Sequence, residues 1–201
     1  MWTGRSTLSR MLDVPVSSDA APRERILAAA YGLFYRDGIR ATGIDRVIAE
    51  AGVTKVTFYR QFPSKDDLIV AFLERRHGLW MAWFSDALAR HGGTALAIVP
   101  ALREWFCSAD YRGCAFINSV GEVGPVHAGV VDAARAHKRD MADAIARVFP
   151  PGRGRGARAG AIALAVDGAI VQAQMLGDAE AALAALSLLL KAVLSPAGTA
   201  G

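Results

Sequence analysis

Residues 42–73 read TGIDRVIAEAGVTKVTFYRQFPSKDDLIVAFL, and the placing of glycine, threonine, serine and proline within them decides the fold. Thr42 and Asp45 have the spacing of a capping box, in which a hydroxyl and a carboxylate three residues apart satisfy each other's free backbone donors. Ile44, Val47, Ile48 and Ala51 follow as one apolar stripe. A helix of about two turns is therefore predicted, ended by Gly52. Thr54 caps a second helix from Lys55, and Pro63 forbids its continuation. Ser64 and Asp67 repeat the capping pattern and launch a longer helix through Leu68, Ile69, Phe72, Leu73, Leu79, Trp80, Trp83 and Phe84. Two short helices around Gly52-Val53-Thr54 make a helix-turn-helix. The second is only about 10 Å long. Val53 plugs the turn and Phe58 anchors the second helix, leaving Lys55, Thr57, Tyr59 and Arg60 outward. A cation, a hydroxyl, a phenol and a guanidinium suit base edges and phosphates in a major groove. On pattern alone, a helical hairpin with a solvated polar face is the alternative.

Outward from this stretch the pattern stays helical. Pro22 opens a helix whose apolar positions are Ile26, Leu27, Ala30, Leu33 and Phe34, stopped by Gly38. Residues 1–20 hold no sustained period and are expected to be a flexible arm. Downstream, helices are expected over 94–109, 114–122, 124–149, 158–176 and 178–194, with breaks at His91-Gly92-Gly93, Tyr111-Arg112-Gly113 and the loop PPGRGRG at 150–156. No alternating pattern lasts long enough to build a sheet, so the fold class is all-α. The expected organisation is the arm (1–20), a helix-turn-helix domain (21–66) and a helical domain (67–201).

Composition narrows the function classes. The chain has 201 residues, 53% hydrophobic and 21% charged, which excludes wholesale disorder. No uninterrupted apolar run approaches the roughly 20 residues of a bilayer span, and the N-terminus lacks a signal-peptide core. A cytoplasmic protein with no membrane partner is the expectation. Cys107 and Cys114, with four scattered histidines at His77, His91, His127 and His137, offer no metal-ligand spacing, so neither metal nor cofactor is expected. Residues 1–65 carry ten Lys/Arg against six acids, whereas residues 66–201 carry thirteen of each. All the excess positive charge lies in the first third, which implies a polyanionic partner for that part alone.

The stretch from Arg23 to Leu73, most specifically AGVTKVTFYRQFPSKDDL at 51–68, resembles the DNA-binding domain of TetR-family transcriptional regulators. The resemblance implies roles by position. Lys55, Val56, Thr57 and Tyr59 match base-contacting positions, and Thr42, Tyr59, Arg60 and Lys65 match phosphate-gripping ones. Lys65 lies in a first helical turn, where free N–H groups also favour an anion. Arg46, on the outer face of the first motif helix, is a further candidate contact. The same resemblance implies a homodimer whose last two helices pair with their two-fold mates. Ile162, Leu164, Val166 and Ile170, with Leu183, Leu186, Leu188, Leu189 and Leu190, make those helices apolar on more than one face. A two-fold dimer implies a double-stranded, roughly palindromic operator.

The middle helices, by the same likeness, enclose a pocket for a small, largely apolar effector. Trp80, Trp83, Phe84, Trp105, Phe116, Met141 and Met175 are its candidate apolar lining, and Asn118, Glu122 and Gln172 its candidate polar groups. Ordinary core packing is the competing use of such side chains. The function so implied is a ligand-released repressor rather than an enzyme. A second reading makes Cys114 a thiol sensor of electrophiles or oxidants, its pKa lowered by Arg112 and a helix start. A more distant one is a cysteine-dependent enzyme with Cys114 as nucleophile and His127 and Glu122 as helpers, though no strained nucleophile turn accompanies them.

Overall fold

The structure, a computed structural model, describes residues 19–195 and contains no strand among them. Its helices are α1 (Pro22–Asp37), α2 (Ile44–Ala51), α3 (Lys55–Gln61), α4 (Lys65–Arg90), α5 (Ile98–Phe106), α6 (Ala115–Val123), α7 (Ala128–Val148), α8 (Arg155–Leu176) and α9 (Ala179–Leu194). Single 3₁₀ turns, Ala95–Ala97 and Gly124–Val126, precede α5 and α7. The all-α expectation holds. The expected arm lies largely outside the described residues, which begin at residue 19.

Most boundaries follow the local signals. Pro22 opens α1, and Gly52, at φ 59°, closes α2 in the left-handed region that favours glycine. Thr54 caps α3 by accepting the Thr57 N–H at 3.1 Å, and Ser64 accepts the Asp67 N–H at 3.1 Å. Asp178 caps α9 through the Ala181 N–H at 2.9 Å. Removing the α3 cap with Thr54→Ala should cost about 1 kcal/mol. Urea denaturation would show this as a lower midpoint at unchanged slope, and an unshifted midpoint would contradict it.

Other boundaries differ from expectation: α5 is shorter than the expected 94–109, and α8 starts at Arg155, inside the expected loop at 150–156. The Thr42–Asp45 capping box does not form: the N-cap of α2 is Gly43, and the Thr42 hydroxyl donates instead to the Gly38 carbonyl at 2.7 Å. That hydroxyl is buried in the turn, where an acceptor already waits. The helix expected from Gly124-Pro125 begins only at Ala128, after a 3₁₀ turn that leaves His127 in extended backbone at φ −140° and ψ 89°.

The chain packs as two units. One comprises the residues up to Trp80 with Cys114–His137; the other comprises Met81–Gly113 and the residues from Lys138 onward. In the first, Ile26, Leu33, Phe34, Val47, Phe58, Leu68 and Phe72 form a buried core. Phe72 meets Tyr31 and Phe34 edge-on at 5.6 and 5.5 Å between ring centroids. In the second, α8 and α9 pack together, burying Ile162, Val166, Ile170, Leu183, Leu186 and Leu190. Helix α8 is, by length and composition, capable of crossing a membrane. No uninterrupted apolar run announces this, because Asp167, Gln172 and Gln174 interrupt it.

Candidate nucleic-acid interface

Helix α3 has seven residues, too few to be stable in isolation, so tertiary contacts hold it. Phe58 is 0% exposed and turned inward, its ring 5.2 Å from Tyr59 and 6.4 Å from Phe62. Val53, expected to be a plug, is only half-buried. The turn is secured from α1 as well. Arg25 donates through Nε to the Ala51 carbonyl at 3.0 Å and through Nη2 to the Gly52 carbonyl. A guanidinium on the last carbonyls of α2 satisfies orphan acceptors and opposes the negative end of the helix dipole.

With Phe58 fixed, the opposite side of α3 is exposed. Lys55, Val56, Tyr59 and Arg60 stand in solvent, Val56 at 70% exposure, while Thr57 is half-buried. The Thr57 hydroxyl lies 2.9 Å from that of Thr54 and so belongs partly to the helix cap. Lys55 faces Asp45 at 3.8 Å, a loose surface pair. On α2, Arg46 is bound to Asp37 at 2.7 Å, and Arg36 holds the same carboxyl below its ordinary range.

Lys65 and Thr42 are committed within the protein. The Lys65 ammonium donates to the Ile39 carbonyl at 2.6 Å and lies 6.0 Å over the Phe34 ring. Burial lowers its pKa. Two of its N–H donors remain for another acceptor. Thr42 is 0% exposed with its hydroxyl donated to Gly38, so that hydroxyl is not available to grip a phosphate.

The residues expected around an effector divide between the two units. Trp80, Phe116, Asn118 and Glu122 lie in the first, and Trp83, Phe84, Trp105, Met141, Gln172 and Met175 in the second. Phe116 stacks on His137 at 3.8 Å, and Trp80 meets the same imidazole at 5.1 Å. Trp83 and Trp105 pack 6.3 Å apart. Three placements depart from expectation. Gln172 and Met175 stand on the outer face of α8, Met175 at 78% exposure, because Val166, Ala169, Ile170 and Ala173 take its inner face. Glu122 is turned to the helix-turn-helix, where its Oε2 accepts the Arg40 N–H at 2.9 Å. Gly38, at φ 90°, makes room for it: a Cβ there would sit 3.1 Å from Glu122 Oε2.

Sequence reasoning missed Arg25, the Glu122 contact and the Arg76 guanidinium. Each acts across a long separation (26 residues for Arg25 to Ala51, 82 for Arg40 to Glu122), and no local spacing announces such pairs.

Comparison with known proteins bears on the same region. Residues 26–72 match the family model described as bacterial regulatory proteins, tetR family. A solved TetR-family transcriptional regulator from Streptomyces coelicolor is 34% identical, with a TM-score of 0.73, over 86% of this chain and 94% of that one. Among curated relatives, an HTH-type regulator of the lacX 3′ region in Lactococcus lactis is 26% identical over 106 residues, which are 50% of this chain and 54% of that protein. The Escherichia coli regulator RutR is 33% identical over 63 residues, 31% of this chain and 30% of its own length. The chain thus spans about half, or less, of the curated relatives it matches.

Proposed function

The chain belongs to the TetR family of bacterial transcriptional regulators, and from that premise we propose that it is a cytoplasmic, ligand-released repressor acting as a homodimer on a palindromic operator. The observation that carries the reading is α3, whose buried Phe58 leaves Lys55, Val56, Thr57, Tyr59 and Arg60 on its outer side. Residues 21–66 are the DNA-binding part, and residues 67–201 take the effector and dimerise. Lys55, Val56, Thr57 and Tyr59 address base edges, with Val56 suited to a thymine methyl. Tyr59, Arg60, Arg46 and the free donors of Lys65 address phosphates.

The dimer reading is supported by apolar side chains left uncovered on α8 and α9. Leu164 is 76% exposed and Leu188 70%, and Leu176 and Leu189 are exposed as well. Apolar surface of this kind on two adjacent helices suits a self-complementary two-fold contact. No enzymatic activity, cofactor or metal belongs to this reading.

An electrophoretic shift with DNA flanking the chain's own gene tests the function. Sequence-specific binding should weaken about a thousandfold between 50 and 200 mM salt, as counterion release requires. Equal affinity for unrelated DNA would refute it.

A thiol sensor at Cys114 has less support, because Cys114 is buried whereas Cys107 is exposed. Native alkylation with iodoacetamide should label Cys107 first and Cys114 only on unfolding, as followed by mass spectrometry. Equal labelling rates would favour the sensor.

A further inference from the structure

Arg76, midway along α4, is 3% exposed, the one buried arginine or lysine among the described residues. A guanidinium carries a full charge and five N–H donors. Here Nη1 donates to the Tyr31 hydroxyl at 2.8 Å, and the guanidinium carbon lies 4.1 Å over the Tyr35 ring and 5.8 Å from that of Tyr31. The groups that bear most on its charge are Tyr31, Tyr35 and Cys114, and among the described residues no carboxylate is paired with it. Burial pushes the Tyr31 phenol above its ordinary pKa, so it stays protonated and offers a dipole, not a counter-charge. Two ring faces and one hydroxyl do not replace the hydration of a guanidinium, and a buried charge without its counter-ion is a standing cost.

That cost has a use if a ligand brings the anion. We propose that Arg76 is the anion-binding residue of the effector site and that the effector is a small carboxylate. This rests on the reading of the chain as a ligand-controlled regulator and adds the chemical class of the ligand. The Tyr31 hydroxyl accepts from Arg76 and keeps its own hydrogen for a second carboxylate oxygen. Arg76 and Trp80 are four residues apart and share a face of α4. Tyr31 and Tyr35 belong to α1, the helix that holds the α2–α3 turn through Arg25. A carboxylate held by Arg76 and Tyr31 together therefore bears on the element that fixes the DNA-reading helix.

The test pairs acids with their uncharged isosteres. Benzoate, phenylacetate and octanoate, each beside its primary amide, are titrated into the full-length protein while tryptophan fluorescence and thermal midpoint are recorded. At least one acid should change the fluorescence and raise the midpoint, with its amide at least tenfold weaker. Arg76→Met should abolish the response without lowering the midpoint of the unliganded protein, since an apolar side chain of similar length removes the buried charge. Tyr31→Phe, which keeps the ring, should weaken acid binding about tenfold. Silence from all three acids, equal binding of acid and amide, or an Arg76→Met variant that responds like the parent would each overturn the proposal. So would a midpoint that falls by several degrees in Arg76→Met alone, which would make the Arg76–Tyr31 pair structural. A wild-type gel shift on the flanking DNA separates the two readings: specific DNA binding with no acid effect sinks only the carboxylate, while acid binding without any DNA shift sinks the regulator.

Discussion

Truncating Phe58 to alanine should abolish the DNA shift at every protein concentration that saturates the parent and should lower the thermal midpoint. The ring is 0% exposed and touches both Tyr59 and Phe62, so its loss opens a cavity beneath α3. Removing a buried phenylalanine costs about 3–5 kcal/mol. A seven-residue helix has no independent stability with which to absorb that loss. The Arg25 contacts to Ala51 and Gly52 would still hold the end of α2. The damage should therefore centre on α3 and reach DNA affinity before dimerisation. Circular dichroism and sedimentation equilibrium, run beside the gel shift, check this. A Phe58→Ala variant with parental affinity would show that α3 is not the reading element.

The second large effect is expected at Tyr59, where folding and recognition separate. Tyr59 is 42% exposed and its ring leans edge-on against Phe58, so Tyr59→Ala removes far less buried area than Phe58→Ala. The thermal midpoint should move by no more than about 2 °C, as a surface substitution implies. Operator affinity should nonetheless fall at least tenfold, because the phenol is an exposed donor at the end of α3, where a phosphate or base edge is met. Tyr59→Phe divides the effect. If the hydroxyl carries the contact, the two variants lose alike; if the ring packs on a sugar or base, Tyr59→Phe keeps most of the affinity. Parental binding by both variants would remove Tyr59 from the interface.

Those two residues also mark what was legible in the sequence. Phe58 and its outward neighbours follow from helical spacing, and the ends of α3 from Thr54 and Pro63, because a cap or a proline acts within a few residues of itself. The same locality explains the success at Ser64. Thr42 shows where it fails: two acceptor arrangements competed for one hydroxyl, and the Gly38 carbonyl, four residues back, took it. Glu122 was read as a pocket group because it shares a helix with Phe116 and Asn118, yet its carboxylate serves the turn at Arg40. Arg76 was passed over because an arginine within a long amphipathic helix reads as solvated. Tyr31, 45 residues away, and Tyr35, both on α1, cover it. Met175 errs in the opposite direction, an apolar residue assigned to a pocket that the structure leaves outside.

The central claim is that α3 reads bases, and selection of bound sequences from a random DNA pool tests it most directly. The parent and Lys55→Ala should be run in parallel at one stated salt concentration. The parent should enrich a two-fold symmetric motif. Lys55→Ala should relax base preference at a single symmetry-related pair of positions while keeping the half-site spacing and the rest of the motif. Identical motifs from both proteins, or no enriched motif from the parent, would contradict the account.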